Sequence, residues 1–146
     1  MPLKLSIVTA QRTVLERDDV TKLVVPAAEG QITVLPHHAA LMSSLAIGEM
    51  LVYAGNDVDA IAIHGGFFQV LNDEVSILAD AAEAAEAIDI ERAEAARERA
   101  ERRLQGRDVD LRGGLDVLRA QFAMQRAMAR IKVARRRRTG VPSSRP

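Results

Sequence analysis

The chain has 146 residues, no cysteine and a formal net charge of zero, with 27% charged and only 3% aromatic residues. These values exclude a disulfide framework and a thiolate metal site, and they leave room for one ordinary domain, or for a compact domain of roughly 85 residues with a helical appendage. No apolar run approaches the roughly 18 residues of a membrane span, and the N-terminus opens on a strand pattern without a signal or transit segment, so a soluble cytosolic chain is expected.

Leu3, Leu5 and Ile7 alternate with Lys4 and Ser6, the period of a strand with one buried face. Thr21 to Val25 runs into Pro26 and Gln31 to Leu35 runs into Pro36, and a residue that cannot donate to a ladder suits a strand end. Gly55-Asn56 separates Met50 to Ala54 from Asp59 to Ile63, and Asn72-Asp73 separates Phe67 to Leu71 from Val75 to Leu78, so both read as hairpins. Short strands at regular turn spacing point to a β-sandwich or flattened barrel.

After Asp80 the composition shifts to Ala, Glu and Arg with no proline until Pro142, broken by Gly106, Gly113 and Gly114. Two helices, about Asp89 to Gln105 and Leu115 to Arg136, are expected as an antiparallel hairpin. The charge divides with the pattern: residues 1–87 hold 4 Lys+Arg against 12 Asp+Glu, residues 88–146 hold 16 against 8, and the parts are net −8 and +8. The expected organisation is a β-module at 1–87, a helical hairpin at 88–138 and a flexible tail at 139–146.

The first helix presents Ala93, Ala96, Ala100 and Leu104 as its apolar stripe, and alanine buries too little area to hold a partner tightly. On the second helix Leu115, Leu118 and Phe122 share one side while Met124, Met128 and Ile131 lie on roughly the opposite one. Two apolar faces suit a helix packed between its sister and the β-module, or one that exchanges partners between two conformations. Asp89 is placed to cap the first helix, with Ile88 and Ala93 at the two positions of a hydrophobic staple. Arg92, Arg99 and Arg103 share one face, as do Arg119, Arg126 and Arg130. Folding the hairpin brings these rows together, so either a bound polyanion such as a nucleoside triphosphate or the neighbouring Glu94, Glu98 and Glu101 must neutralise them.

The segments Gly30 to Met42, with Leu35-Pro36-His37-His38, then Ile63-His64-Gly65-Gly66-Phe67, Ile77-Leu78-Ala79-Asp80 and Ile88 to Ala93 resemble, jointly and in this order, the epsilon-subunit family of bacterial F-type ATP synthases. The likeness runs to about Ala134. It implies an α+β fold, with an N-terminal β-sandwich of about ten strands followed by a C-terminal antiparallel two-helix hairpin. It implies a non-catalytic central-stalk subunit on the cytoplasmic face of the bacterial membrane, peripheral and held there through the complex. Its partners would be the gamma subunit, the c-subunit rotor ring, and the alpha and beta subunits when the hairpin extends to block ATP hydrolysis. No cofactor is implied as required, and ATP, with or without magnesium, is implied as a regulatory ligand.

Carried over by position, the nucleotide site of ATP-binding members falls on Glu83, Ile88, Asp89, Arg92, Ala93, Arg99, Arg126 and Arg130, as binding residues and not catalytic ones. Rotor-ring contact falls on Gly30, Gln31, Ile32 and His38, with Gln31 standing where relatives often carry an acid. The Arg107 to Gly114 connection is longer than in ATP-binding relatives. The alternative is a basic helical adaptor for nucleic acid or an acidic protein, built on Arg135 to Arg138; scarce aromatics and missing nucleic-acid motifs speak against the nucleic acid. An enzyme would need a nucleophile, base and oxyanion donor together, and His37, His38 and His64 read as loop and strand-end residues, with no metal site expected.

Overall fold

A computed structural model of the chain describes residues 2–106 and 114–138. Eight strands come first: β1 (Leu3–Val8), β2 (Thr13–Val20), β3 (Lys22–Ala27), β4 (Gly30–Val34), β5 (Leu41–Ala54), β6 (Asp57–Leu71), β7 (Glu74–Ala79) and β8 (Ala82–Ala84). A 3-10 turn at Ala85–Ala87 leads into α1 (Ile90–Leu104), and α2 (Gly114–Arg138) completes the described chain. The expected connection at 107–113 and the tail at 139–146 lie outside the described residues.

The strands form a sheet in the order β2-β1-β7-β6-β5-β3-β4, with β8 added to β6. All neighbours are antiparallel except β1 and β7, which run parallel. β6 carries the sandwich: residues 61–63 pair with β8, while residues 66–71 pair with β7. The change of partner falls at Gly65 and Gly66, whose φ values of 81° and 122° are open to glycine and rare for other residues. The pair also switches which alternate residues face inward, from Ile61 and Ile63 before it to Phe68 and Val70 after it. Gly66 has a second constraint, because a Cβ there would lie 2.2 Å from the carbonyl oxygen of Leu78.

The separate strands expected at Asp59 to Ile63 and Phe67 to Leu71 are thus one continuous strand bent at the glycines. β5 pairs with β6 along its whole length and shows the same inversion, from Leu45 to Met50, Val52 and Ala54. Counting the two halves of β5 and β6 separately, the eight strands supply the ten segments expected of the sandwich. Pro26 does not end its strand as expected. It sits inside β3, opposite Gln31 of β4 and at a break in the register with β5. Both hairpin turns are where the dipeptides put them, and Asn72 and Asp73 take φ values of 51° and 62°, both in the left-handed region a two-residue hairpin turn requires.

The core is filled from both layers by Leu3, Ile7, Leu23, Val25, Met50, Ile63, Phe68 and Ile77, all fully buried. The first half of β6 is buried on both sides. Ile61 and Ile63 face the core, while Ala60 and Ala62 pack in a second cluster with Ala85, Ile88, Val133 and Ala134. The hairpin therefore docks on the outer face of one layer. On the outer face of the other layer Phe67 and Leu78, direct cross-strand neighbours, are exposed together with Met42.

α1 starts as its residues dictate: Asp89 accepts a hydrogen bond from the Arg92 amide at 3.1 Å, and Ile88 and Ala93 are buried beside it. It ends at Gly106, with φ 73°, whose amide donates to the Arg103 carbonyl. Of the large apolar residues expected to dock the hairpin, Ile131 is buried, but Leu104, Leu118, Phe122 and Met128 are exposed, as is Val117. The buried residues are Ala93 and Ala100 on α1 and, seven residues apart, Ala120, Ala127 and Ala134 on α2. Small side chains let the two helices approach closely, and the Glu94–Arg135 contact at 3.6 Å brings the start of α1 beside the end of α2, as antiparallel pairing requires. α2 lies against both its sister and the β-module, with Ile131 and Val133 buried as well.

Candidate functional site

Where β8, the 3-10 turn, α1 and α2 meet, a concave pocket of about 400 Å³ is lined by Glu83, Ile88, Asp89, Arg92, Ala93, Arg99 and Arg130, along with Ala87 and Ala96. Seven of the eight residues assigned to a nucleotide site therefore line one pocket. Arg126 is not in its lining; it sits one turn before Arg130 and acts through its charge on His64.

The two carboxylates are already engaged. Glu83 Oε1 accepts from Arg130 Nε at 2.6 Å and is 3.0 Å from His64 Nε2, while Asp89 caps α1. Arg92 and Arg99 make no ion pair among the described residues. Two guanidinium groups lining a pocket whose Glu83 is already ion-paired have the chemistry to pair with a polyanion. Every wall of that site except Glu83 comes from the hairpin or the segment leading into it, so the pocket exists only while the hairpin is docked.

Sequence reasoning missed His64, which is buried on β6 and neither a loop nor a strand-end residue. Burial, then the charge of Arg130, hold its pKa below the usual histidine range, against the pull of Glu83. Burial works to raise the Glu83 pKa, but the hydrogen bond and charge of Arg130 with the His64 bond outweigh it and the net shift is downward. Neutral His64 thus donates through Nε2–H to an ionised Glu83. Its Nδ1 is buried and has no partner among the described residues, which disfavours a second proton there. The signal was available: His64 shares a strand face with Ala60 and Ala62, and two alanines in a strand mark a close approach.

The second tie between hairpin and sandwich was not legible at all. Arg136 holds Glu49 of β5 through both Nε and Nη2, the latter at 2.8 Å, and Lys132 Nζ stands 3.8 Å away. The residues assigned to rotor contact fall at the two ends of β4. Gly30, Gln31 and Ile32 open the strand, with Gly30 and Gln31 exposed, and His38 follows its end, in a loop anchored by the His37 amide on Asp73. No group of three or more His, Asp or Glu that could hold a metal occurs among the described residues.

Two family models match the chain, the ATP synthase delta/epsilon chain β-sandwich domain over residues 2–85 and the delta/epsilon long α-helix domain over residues 86–135. The chain belongs to the ATP synthase epsilon-chain family. The family's ATP synthase epsilon chain from Syntrophobacter fumaroxidans is 48% identical over 132 residues, covering 90% of this chain and 95% of the relative. That from Dehalococcoides mccartyi is 43% identical over 136 residues, covering 93% and 94%.

Among solved structures, a chain of the Euglena gracilis mitochondrial ATP synthase, in its OSCP/F1/c-ring assembly, superposes with a TM-score of 0.75 at 26% identity, covering 91% of this chain and 81% of that one. A chain of the Tetrahymena thermophila central stalk and c-ring shares the fold, with a TM-score of 0.54 at 13% identity, covering 94% and 96%. The chain is accordingly a central-stalk subunit of ATP synthase, associated with the membrane through the complex; no helix among the described residues is long and apolar enough to cross a membrane.

Proposed function

We propose that this stalk subunit is non-catalytic and couples and regulates the motor, its β-module transmitting rotation and its hairpin acting as a brake on ATP hydrolysis that bound ATP holds in the docked position. The observation that carries this is the shared pocket. Glu83 of the β-module and Arg92, Arg99 and Arg130 of the hairpin form it together, so a ligand bound there stabilises docking by RT ln(1 + [L]/Kd), about 2.7 kcal/mol at a hundred times Kd.

The docked state is held by alanines and by two ion-paired carboxylates, and the exposed Val117, Leu118 and Phe122 offer an apolar surface to a different partner when it opens. That partner is the catalytic head of alpha and beta subunits, to which a +8 region would be drawn by acidic loops. The apolar face of Phe67, Leu78 and Met42, on the layer the hairpin does not cover, takes the gamma subunit. Gly30, Gln31, Ile32 and His38 contact the rotor ring. In a bacterium the subunit sits on the cytoplasmic face of the cell membrane.

Titration of ATP into the full chain, with and without magnesium, tests the nucleotide site. Saturable binding that weakens at least tenfold in Arg92→Ala is expected, and no binding up to millimolar ATP refutes it. Truncation after Ala87 tests the brake: the reconstituted enzyme should assemble and hydrolyse ATP faster, and an unchanged rate removes the inhibitory role.

A further inference from the structure

A second concavity, sharing no residue with the nucleotide pocket, opens between the middle of β5 and the hairpin. Its volume is about 710 Å³, in the range of small-molecule sites. Its polar lining is cationic: Arg97 from α1 with Lys132, Arg135 and Arg136 from α2, against the single carboxylate of Glu49. Arg136 is committed to Glu49 and Arg135 approaches Glu94, but Arg97 Nε is a buried donor with no hydrogen-bond partner among the described residues. A buried guanidinium N–H without an acceptor is costly and is met by an anion.

Apart from Gln125, the rest of the wall is apolar. Ala46 and Ile47 of β5 face Met128, Ala129 and Ile131 of α2, and Met128 is 52% exposed at this site. An inorganic anion would leave that surface wet, and an uncharged apolar molecule would leave Arg97 unpaired. We propose that this groove binds a single-chain amphiphilic anion, an alkyl carboxylate or alkyl phosphate, with its head on Arg97 and Lys132 and its tail along Ile47 and Met128. Because β5, α1 and α2 all contribute walls, the ligand binds only the docked form and holds the hairpin down, independently of the nucleotide pocket.

The test titrates octyl phosphate, below its micelle-forming concentration, into the full chain, with inorganic phosphate and octanol as comparisons, and follows hydrogen exchange of the α2 amides. Octyl phosphate should bind at least tenfold more tightly than either comparison, a factor that burial of about two methylenes supplies over inorganic phosphate and the charged head on Arg97 and Lys132 supplies over octanol, and should slow α2 exchange. The Arg97→Gln, Lys132→Gln variant leaves the Glu49–Arg136 pair intact. It should keep the apo exchange rate of α2 and lose at least tenfold in octyl phosphate affinity, whereas Arg92→Ala should bind octyl phosphate normally. Unchanged affinity in the Arg97→Gln, Lys132→Gln variant, equal binding of inorganic phosphate or octanol, or loss of binding in Arg92→Ala overturns the proposal, whatever ATP does.

Discussion

Replacing Arg136 by methionine should release α2 from the sandwich without unfolding the sandwich. The Glu49 side chain is 6% exposed and both of its oxygens are held by Arg136. Without that guanidinium the nearest cation is Lys132 at 3.8 Å, whose side chain is 67% exposed and well screened. Breaking a fully buried pair by removing one partner costs about 3–5 kcal/mol. Arg136 is itself 29% exposed, so solvent recovers part of that, and about 2–3 kcal/mol is expected.

The main core contains no hairpin residue, so the loss should appear as local opening. Native-state hydrogen exchange should show α2 amides from Ala120 to Ala134 exchanging about 30- to 150-fold faster, with those of β1 and β7 unchanged. Replacing both partners, Glu49→Leu with Arg136→Met, removes the stranded charge and should recover most of the loss, to within about 1 kcal/mol. A change under threefold in the single variant, or a double variant as labile as the single one, would refute the reasoning.

Acid should also release the hairpin. Glu83 and His64 both have folded pKa values below their unfolded ones, so the stabilisation from each is complete above the unfolded pKa, 6.5 for His64 and 4.5 for Glu83, and is lost as pH falls through the folded value. Exchange of α2 should be level above pH 7, once corrected for intrinsic rates, and accelerate below 6.5; greater protection in acid would contradict it. Ala127→Leu forces extra volume into a fully buried site between the helices and should cost about 1–3 kcal/mol of docking, read by the same exchange measurement. Gly66→Ala combines a positive φ with a Cβ 2.2 Å from the Leu78 carbonyl, and should destabilise the β-module itself by more than about 3 kcal/mol in thermal or urea unfolding.

Local physics was legible in the residues. Alternation in β1, the left-handed turn at Asn72-Asp73, the Asp89 cap and the Gly106 stop depend on near neighbours, and each stands where its sequence pattern puts it. β2 was missed because its Glu16, Asp18 and Asp19 are exposed on an edge strand, where burial imposes no alternation. Seven pocket residues could be named because the resemblance covers a contiguous stretch and a matching helix face.

Only the tertiary structure decided what the hairpin docks with. The large side chains of α2 look like the stickier surface, yet close helix approach favours alanine, so Ala120, Ala127 and Ala134 are buried and Leu118 and Phe122 are left outside. Nor could sequence pair Glu49 with Arg136, 87 residues away, or bring neutral His64 and the charge of Arg130 onto the same Glu83 oxygen. Such pairings depend on which face of β6 lies outward before its bend at Gly65 and Gly66, and that is settled by packing across the sandwich, not by any residue's neighbours in the chain.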